Sequence, residues 1–301
     1  MRSSEEMMKL IMDKAINDER IRALTMEGSR ANQNATHDKY SDFDICYVVT
    51  DISEFTSDKK WIEYFGEILI VQCPCDWYSH PYNYKGYENF TYLIQFKDGT
   101  RIDLTLIDIR NIKHGFNYQE PRIVLLNKDQ LKELVPINHE EAFYIHPPSK
   151  MEYGNTCNEF RWLSLYISKG LCRKEIYYAK YVYDVLMMEM FLKMLNWKIG
   201  VDHHWDVTTG QHSKYLKRFL SSEEMVRFQG IFPNGTYKEI WDKLYEIYDY
   251  FADNAKYVGE ALGYPFDEKE TNEVRDFIEK RQEDDRIYRG FKDLDRKDRN
   301  I

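Results

Sequence analysis

Gly28-Ser29, twelve intervening residues, then Asp42-Phe43-Asp44-Ile45 is the stretch whose reading decides the fold. On a strand, successive side chains point to opposite faces, so Asp42 and Asp44 share one face while Phe43 and Ile45 take the other and can anchor in a core. Two neighbouring carboxylates repel each other, and a hard divalent cation such as Mg²⁺, which prefers oxygen ligands, would relieve that repulsion. Gly28 has no side chain and lets the backbone approach a ligand closely. A third acid, Asp103, interrupts the alternation Ile102-Asp103-Leu104-Thr105-Leu106 and lies on the face opposite those apolar residues. If its strand neighbours the one bearing Asp42 and Asp44, all three carboxylates converge.

Working outward, Met7, Met8, Ile11, Ala15 and Ile16 recur at helical spacing and predict a helix over 4–22. Short apolar runs predict strands over 21–26, 43–49 and 67–72, with a turn at Gly28-Ser29-Arg30, a polar loop over 31–40 and a helix over 58–65. Residues 73–86, rich in proline and aromatics, read as a long ordered loop. Strands over 91–97 and 101–107 flank Asp98-Gly99, a pair that tolerates the positive φ of a tight hairpin. After Pro147-Pro148 the pattern turns helical, over 152–169, 173–197, 212–219, 222–229 and 237–263. Ser221 reads as a cap with Glu223 and Glu224 in the first turn. Met187, Met188, Met190 and Met194 read as core filler, and the adjacent His203 and His204 as surface residues. The chain is therefore expected to be α+β: a mixed-sheet domain over 1–148, a helical domain over 149–285 and a charged tail over 286–301.

The composition narrows the function. Lys plus Arg number 42 and Asp plus Glu 51 among 301 residues, a formal charge of −9. That balance argues against a nucleic-acid partner, which calls for a basic face, and suits a cationic ligand. The first seventeen residues carry charges throughout, with no apolar stretch of a signal peptide, and no run is long enough to span a bilayer. Five cysteines at irregular spacing read as free thiols. The expectation is a cytoplasmic protein with no membrane partner. No apolar stripe is left over for an interface, so a monomer is expected.

The Gly-Ser, Asp-x-Asp and later-acid arrangement resembles the nucleotidyltransferase superfamily, whose catalytic domain is polymerase-beta-like. Glu27 departs from the apolar residue usual before the glycine, and Met26 is expected to supply the anchor instead. More narrowly, Glu27-Gly28-Ser29-Arg30, Ile102-Asp103-Leu104-Thr105-Leu106, Cys157-Asn158-Glu159-Phe160 and the run from Lys169-Gly170-Leu171 to Ile176 resemble the bacterial aminoglycoside 6-adenylyltransferases that inactivate streptomycin. Such matches extend from residue 1 to about residue 220.

That resemblance implies Mg²⁺-dependent transfer of AMP from ATP to a hydroxyl of an aminoglycoside, the streptomycin 6-hydroxyl, giving antibiotic resistance, in a cleft between the two domains. It implies that Asp42 and Asp44 hold the metal and that Asp103 takes the proton from the acceptor or shares the metal. Gly28, Ser29, Arg30 and Lys214 would bind the nucleotide. Glu159, Trp162 and Glu175 would meet the antibiotic, whose guanidinium groups pair with carboxylates. The family often has Trp directly after the Glu-Phe pair, whereas here Arg161 intervenes before Trp162. Two alternatives stay open at this point: a nucleotidyltransferase acting on a protein or an RNA end, and a catalytically silent nucleotide or antibiotic sensor.

Overall fold

In the computed structural model the chain divides into two compact units, Met1–Ala142 and Phe143–Ile301. The structure describes residues 2–32, 35, 37–76, 89–115, 121–137 and 141–298. Most of the proline- and aromatic-rich loop read over 73–86 lies outside the described residues.

The first unit opens with helix α1, Ser4–Asn17. The Ser3 hydroxyl accepts from the Glu6 amide while the Glu6 carboxylate accepts from the Ser3 amide, satisfying two donors that a helix start leaves orphaned. Met7, Ile11 and Ala15, four residues apart, are fully buried against the sheet. Burial of side chains the size of Met7 and Ile11 contributes roughly 1.5–3 kcal/mol each. The helix stops at Asn17, short of the predicted residue 22. The Asp18 carboxylate accepts from the Arg20 backbone amide and from the guanidinium of the same residue, which turns the chain into the first strand.

Six strands follow: β1 (Ile21–Glu27), β2 (Phe43–Val49), β3 (Ile68–Gln72), β4 (Asn89–Phe96), β5 (Arg101–Asp108) and β6 (Arg122–Asn127). They form one mixed sheet in the order β3-β4-β5-β2-β1-β6. The β2–β5 pair is parallel and every other pairing is antiparallel. Gly99, at φ 90, closes the β4–β5 hairpin. Strand β6 is absent from the sequence reading, although its run Ile123-Val124-Leu125-Leu126 carries the signal of a strand. The helix expected over 58–65 is present as a 3-10 helix, Lys59–Phe65.

One face of this sheet packs a core from Ile45, Tyr47, Tyr92, Ile94, Leu104 and Leu106 together with α1. The buried Tyr47 hydroxyl donates to the Ile11 carbonyl, tying sheet to helix. The opposite face of β2 and β5 is divided: Cys46, Val48 and Ile107 pack a second small core with Ala23, Ile112 and Leu134, while Asp44 and Asp103 lie half-buried nearer the start of the two strands.

The second unit is helical: α2 (Lys150–Cys172), α3 (Ile176–Tyr181), α4 (Met188–Asp202), α5 (Ser222–Gly230), α6 (Tyr237–Leu262) and α7 (Glu268–Asp298). Ser221 caps α5 as expected, and Gly263 ends α6 in the left-handed conformation. Met187, Met188 and Met194 are buried in the core, as their spacing predicts. The predicted helix over 173–197 is interrupted. Lys174 sits at φ 64 before α3, and a π-helix, Val182–Met187, joins α3 to α4. Residues 212–219 are not one helix but two short 3-10 turns, Gln211–Ser213 and Leu216–Arg218, because His212 and Ser213 take positive φ. Helix α7 runs to Asp298, through the segment expected to be a tail. No helix among the described residues is long and apolar enough to cross a membrane.

Candidate active site

The expected neighbourhood of the two acid-bearing strands is present. Strands β2 and β5 are adjacent and parallel, and Asp44 is in register with Asp103. Residues paired in this way share a face and sit about 4.8 Å apart. Asp42 lies just before β2, half-buried like Asp44 and Asp103.

Gly28 follows β1 at φ +63, where an L side chain is strained. A Cβ there would fall inside contact distance of the Asp44 carboxylate, meeting Oδ2 first and Cγ at 2.9 Å. The absent side chain is what allows the Gly28 backbone and the Asp44 carboxylate to lie together. Gly28–Ala31 forms a single helical turn, with the Ser29 carbonyl accepting from the Asn32 amide at 3.1 Å.

Arg30 turns back from this segment. Its Nε donates to the Asp42 carbonyl and its Nη2 to the Ser41 carbonyl, both at 2.8 Å. Its guanidinium carbon lies 3.8 Å from the centre of the Phe43 ring. Arg30 therefore fixes the backbone that presents Asp42 and Asp44.

Glu27 does not anchor the core. It pairs across the sheet with Arg122 of β6, whose Nε donates to the Glu27 carboxylate at 2.7 Å. The Arg122 side chain is fully buried. Met26, partly buried against the core, supplies the anchor expected of it. Met26 opposes Ile45, and continuing that register by one residue places Glu27 beside Asp44. A charged row thus crosses the sheet: Arg122, Glu27, Asp44, Asp103. The Cys46 thiol, buried next along this face of β2, is pushed well up by burial, with the Glu27 charge adding to the effect.

Arg101 is the residue beside the candidate acids that the sequence reading missed. It stands two residues before Asp103, on the same face of β5. Its Nε and Nη2 donate to the two Asp103 oxygens at 2.8 Å each. Its Nη1 lies 3.6 Å from Asp42 Oδ2. The hydrogen bond to Asp103 holds the guanidinium in its charged form, and the Asp42 and Asp44 charges act in the same direction. The strand alternation that places Asp103 would have placed Arg101 as well.

The donor set of Asp42, Asp44 and Asp103 is all carboxylate oxygen, which by chemistry fits Mg²⁺. Among the described residues, no three acidic, His or Cys side chains are gathered tightly enough to hold an ion in common. The guanidinium of Arg101 lies on Asp103 and beside Asp42.

The remaining candidates belong to the second unit. Glu159 and Trp162 are exposed on one face of α2, three residues apart, and the Trp162 ring meets Tyr166 edge-on at 6.0 Å. Arg161, by contrast, is buried and donates to Glu270 of α7 at 2.6 Å. The residue that displaces the tryptophan by one position is thus a helix-packing contact. Glu175 precedes α3 and pairs with Arg173 at 2.9 Å. Lys214 is exposed, its ammonium 5.1 Å from the Tyr215 ring centre, after a loop in which Gly210, His212 and Ser213 all take positive φ.

A family model described as streptomycin adenylyltransferase matches residues 1–281. The chain is similar to an aminoglycoside 6-adenylyltransferase of Bacillus subtilis (strain 168), with 36% identity over 267 residues, covering 88% of this chain and 93% of the relative. It is similar to another of the same name from Campylobacter jejuni, with 35% identity over 278 residues, covering 91% of this chain and 95% of that one. A crystal structure of an aminoglycoside 6-adenyltransferase from Bacillus subtilis aligns at 31% identity over 94% of this chain and 99% of its own, with a TM-score of 0.46.

Proposed function

The chain belongs to the streptomycin adenylyltransferase family, and from that premise we propose that it transfers AMP from ATP to a hydroxyl of an aminoglycoside, the 6-hydroxyl of streptomycin. The observation that carries this reading is the register of Asp44 with Asp103 on parallel neighbours, with Gly28 packed against Asp44.

The acceptor oxygen attacks the α-phosphorus, its O–H bond breaks, and the bond from that phosphorus to the pyrophosphate oxygen breaks. Asp103 takes the proton released by the hydroxyl. The amides at Gly28 and Ser29 receive triphosphate oxygens. Asp42 and Asp44 would hold Mg²⁺, which would supply charge neutralisation at the phosphates. Arg30 acts by holding the carbonyls of Ser41 and Asp42 in place. From the second unit, Lys214 serves the triphosphate as a point charge, and Glu159, Glu175 and Trp162 serve the cationic acceptor. The excess of acidic residues favours such an acceptor over RNA. The protein acts in the cytoplasm as a monomer, and resistance to the antibiotic follows from its modification.

The test is turnover with ATP and Mg²⁺, offered streptomycin, spectinomycin, kanamycin or no acceptor in turn. Pyrophosphate release and product mass are followed, with Asp103→Asn and a chelator as controls. Adenylylated streptomycin, lost in the variant and on chelation, is the expected result. No product with any aminoglycoside from folded, ATP-binding protein would overturn the reading and direct the search to protein or RNA acceptors.

A further inference from the structure

Arg101 holds Asp103 through both oxygens and reaches towards Asp42. A bidentate arginine–carboxylate pair is among the stronger exposed ion pairs, because two parallel hydrogen bonds add to the charge attraction. The oxygens it holds are those that metal binding and proton acceptance require. The guanidinium stays charged at any working pH, so its hold does not relax by deprotonation. Its range is short, because it is tethered two residues from Asp103 on the same strand face.

The surroundings give Arg101 somewhere to go. It lines a cavity of about 510 Å³ together with Ile70, Val71, Leu93, Gln95 and Asp76. Gln95 is its direct partner across the β4–β5 ladder. A polyphosphate offers a guanidinium oxygens with the same forked geometry as a carboxylate. A nucleotide arriving with its cation therefore brings both a replacement charge for the carboxylates and a replacement partner for the arginine.

We propose that Arg101 is a tethered counter-cation. It occupies Asp103 and shields Asp42 in the substrate-free protein, and it yields both when a divalent cation arrives with a polyphosphate. This rests on the reading of Asp42, Asp44 and Asp103 as metal-binding carboxylates. Its consequence is order: metal binds weakly before nucleotide, since each ion must compete with an intramolecular charge, and binds well with it.

The experiment is Mn²⁺ titration, followed by electron paramagnetic resonance, of wild type, Arg101→Gln and Arg101→Lys, with and without a non-hydrolysable ATP analogue. Without the analogue, Arg101→Gln is expected to bind Mn²⁺ about fivefold or more tighter than wild type, and Arg101→Lys to fall between them. Adding the analogue is expected to tighten binding more in wild type than in Arg101→Gln. Equal or weaker Mn²⁺ binding by Arg101→Gln overturns the proposal while leaving the metal reading intact. No protein-bound Mn²⁺ in wild type even with the analogue sinks the metal reading, and the proposal with it. If Arg101→Gln does not fold, Arg101→Lys carries the comparison: it keeps the charge but loses the fork, and Mn²⁺ affinity no higher than wild type overturns the proposal.

Discussion

The carboxylate of Asp44 occupies the space where a side chain on Gly28 would begin. Gly28 directly follows β1 and Asp44 lies on β2, so their contact depends on the β1–β2 pairing, in which Met26 opposes Ile45. Gly28 is therefore constrained twice, by its φ of +63 and by the acid beside it.

Gly28→Ala tests that double constraint. The left-handed backbone alone costs an alanine about 1–2 kcal/mol, and the Asp44 side chain must also shift. Displacement of a reacting group by about 1 Å lowers turnover on the order of a hundredfold. A folded variant with near wild-type kcat would show that the close approach has no functional weight.

Arg30 separates two roles by which quantity changes. Held on the Ser41 and Asp42 carbonyls and stacked on Phe43, it is expected to act on stability. Arg30→Ala should lower unfolding free energy by roughly 1.5–3 kcal/mol, the range for hydrogen bonds involving a charged group, and should lower kcat through a loosened Asp42. A selective rise in the KM for ATP with unchanged stability would instead assign Arg30 to the triphosphate.

Glu27 and Arg122 should reveal the cost of breaking a buried ion pair. Arg122 is fully buried with its Nε on the Glu27 carboxylate. Glu27→Gln removes the Glu27 charge from that buried pair and is expected to destabilise by roughly 3 kcal/mol. The double replacement Glu27→Leu with Arg122→Met should recover much of the loss. Denaturant unfolding reads both, and an unchanged Glu27→Gln midpoint would contradict the expectation.

Asp18 predicts an acid-sensitive joint between α1 and β1. The Arg20 side chain, more than the opposing effect of burial, holds its carboxyl well below the usual range, with Lys14 adding to the pull. A group depressed in the folded state contributes stability that is complete above its unfolded pKa, near 3.9, and is lost as pH falls towards the folded value. Asp18→Asn should therefore be less stable than wild type at pH 7, and the gap should narrow progressively as pH falls below about 4. A gap independent of pH between 7 and 2 would rule this out.

Much of the site was legible because strand chemistry is local. Phe43–Val49 and the β5 alternation can be read directly, since a period of two assigns each residue a face without knowledge of its partners. Helix starts were equally plain where a serine caps a first turn, as Ser221 does. Helix interiors misled where the backbone departs from the repeat. The π-helix Val182–Met187 and the positive φ of His212 and Ser213 leave the side-chain spacing looking helical.

The sequence by itself singled out the candidates for the chemistry: Gly28, Asp42, Asp44 and Asp103, each named by residue type and spacing, with family likeness spread over the chain. Only the tertiary structure decided what each of them faces. Strand order made Asp44 and Asp103 neighbours, although 58 positions separate them in the chain. The unpredicted β6 brought Arg122 to Glu27, and the β2–β5 pairing brought Arg101 within 3.6 Å of Asp42. The reason is physical. Which face a side chain takes is set by its own backbone, whereas which charges neutralise one another is set by the pairing of strands far apart in the chain, and one local segment holds no record of that.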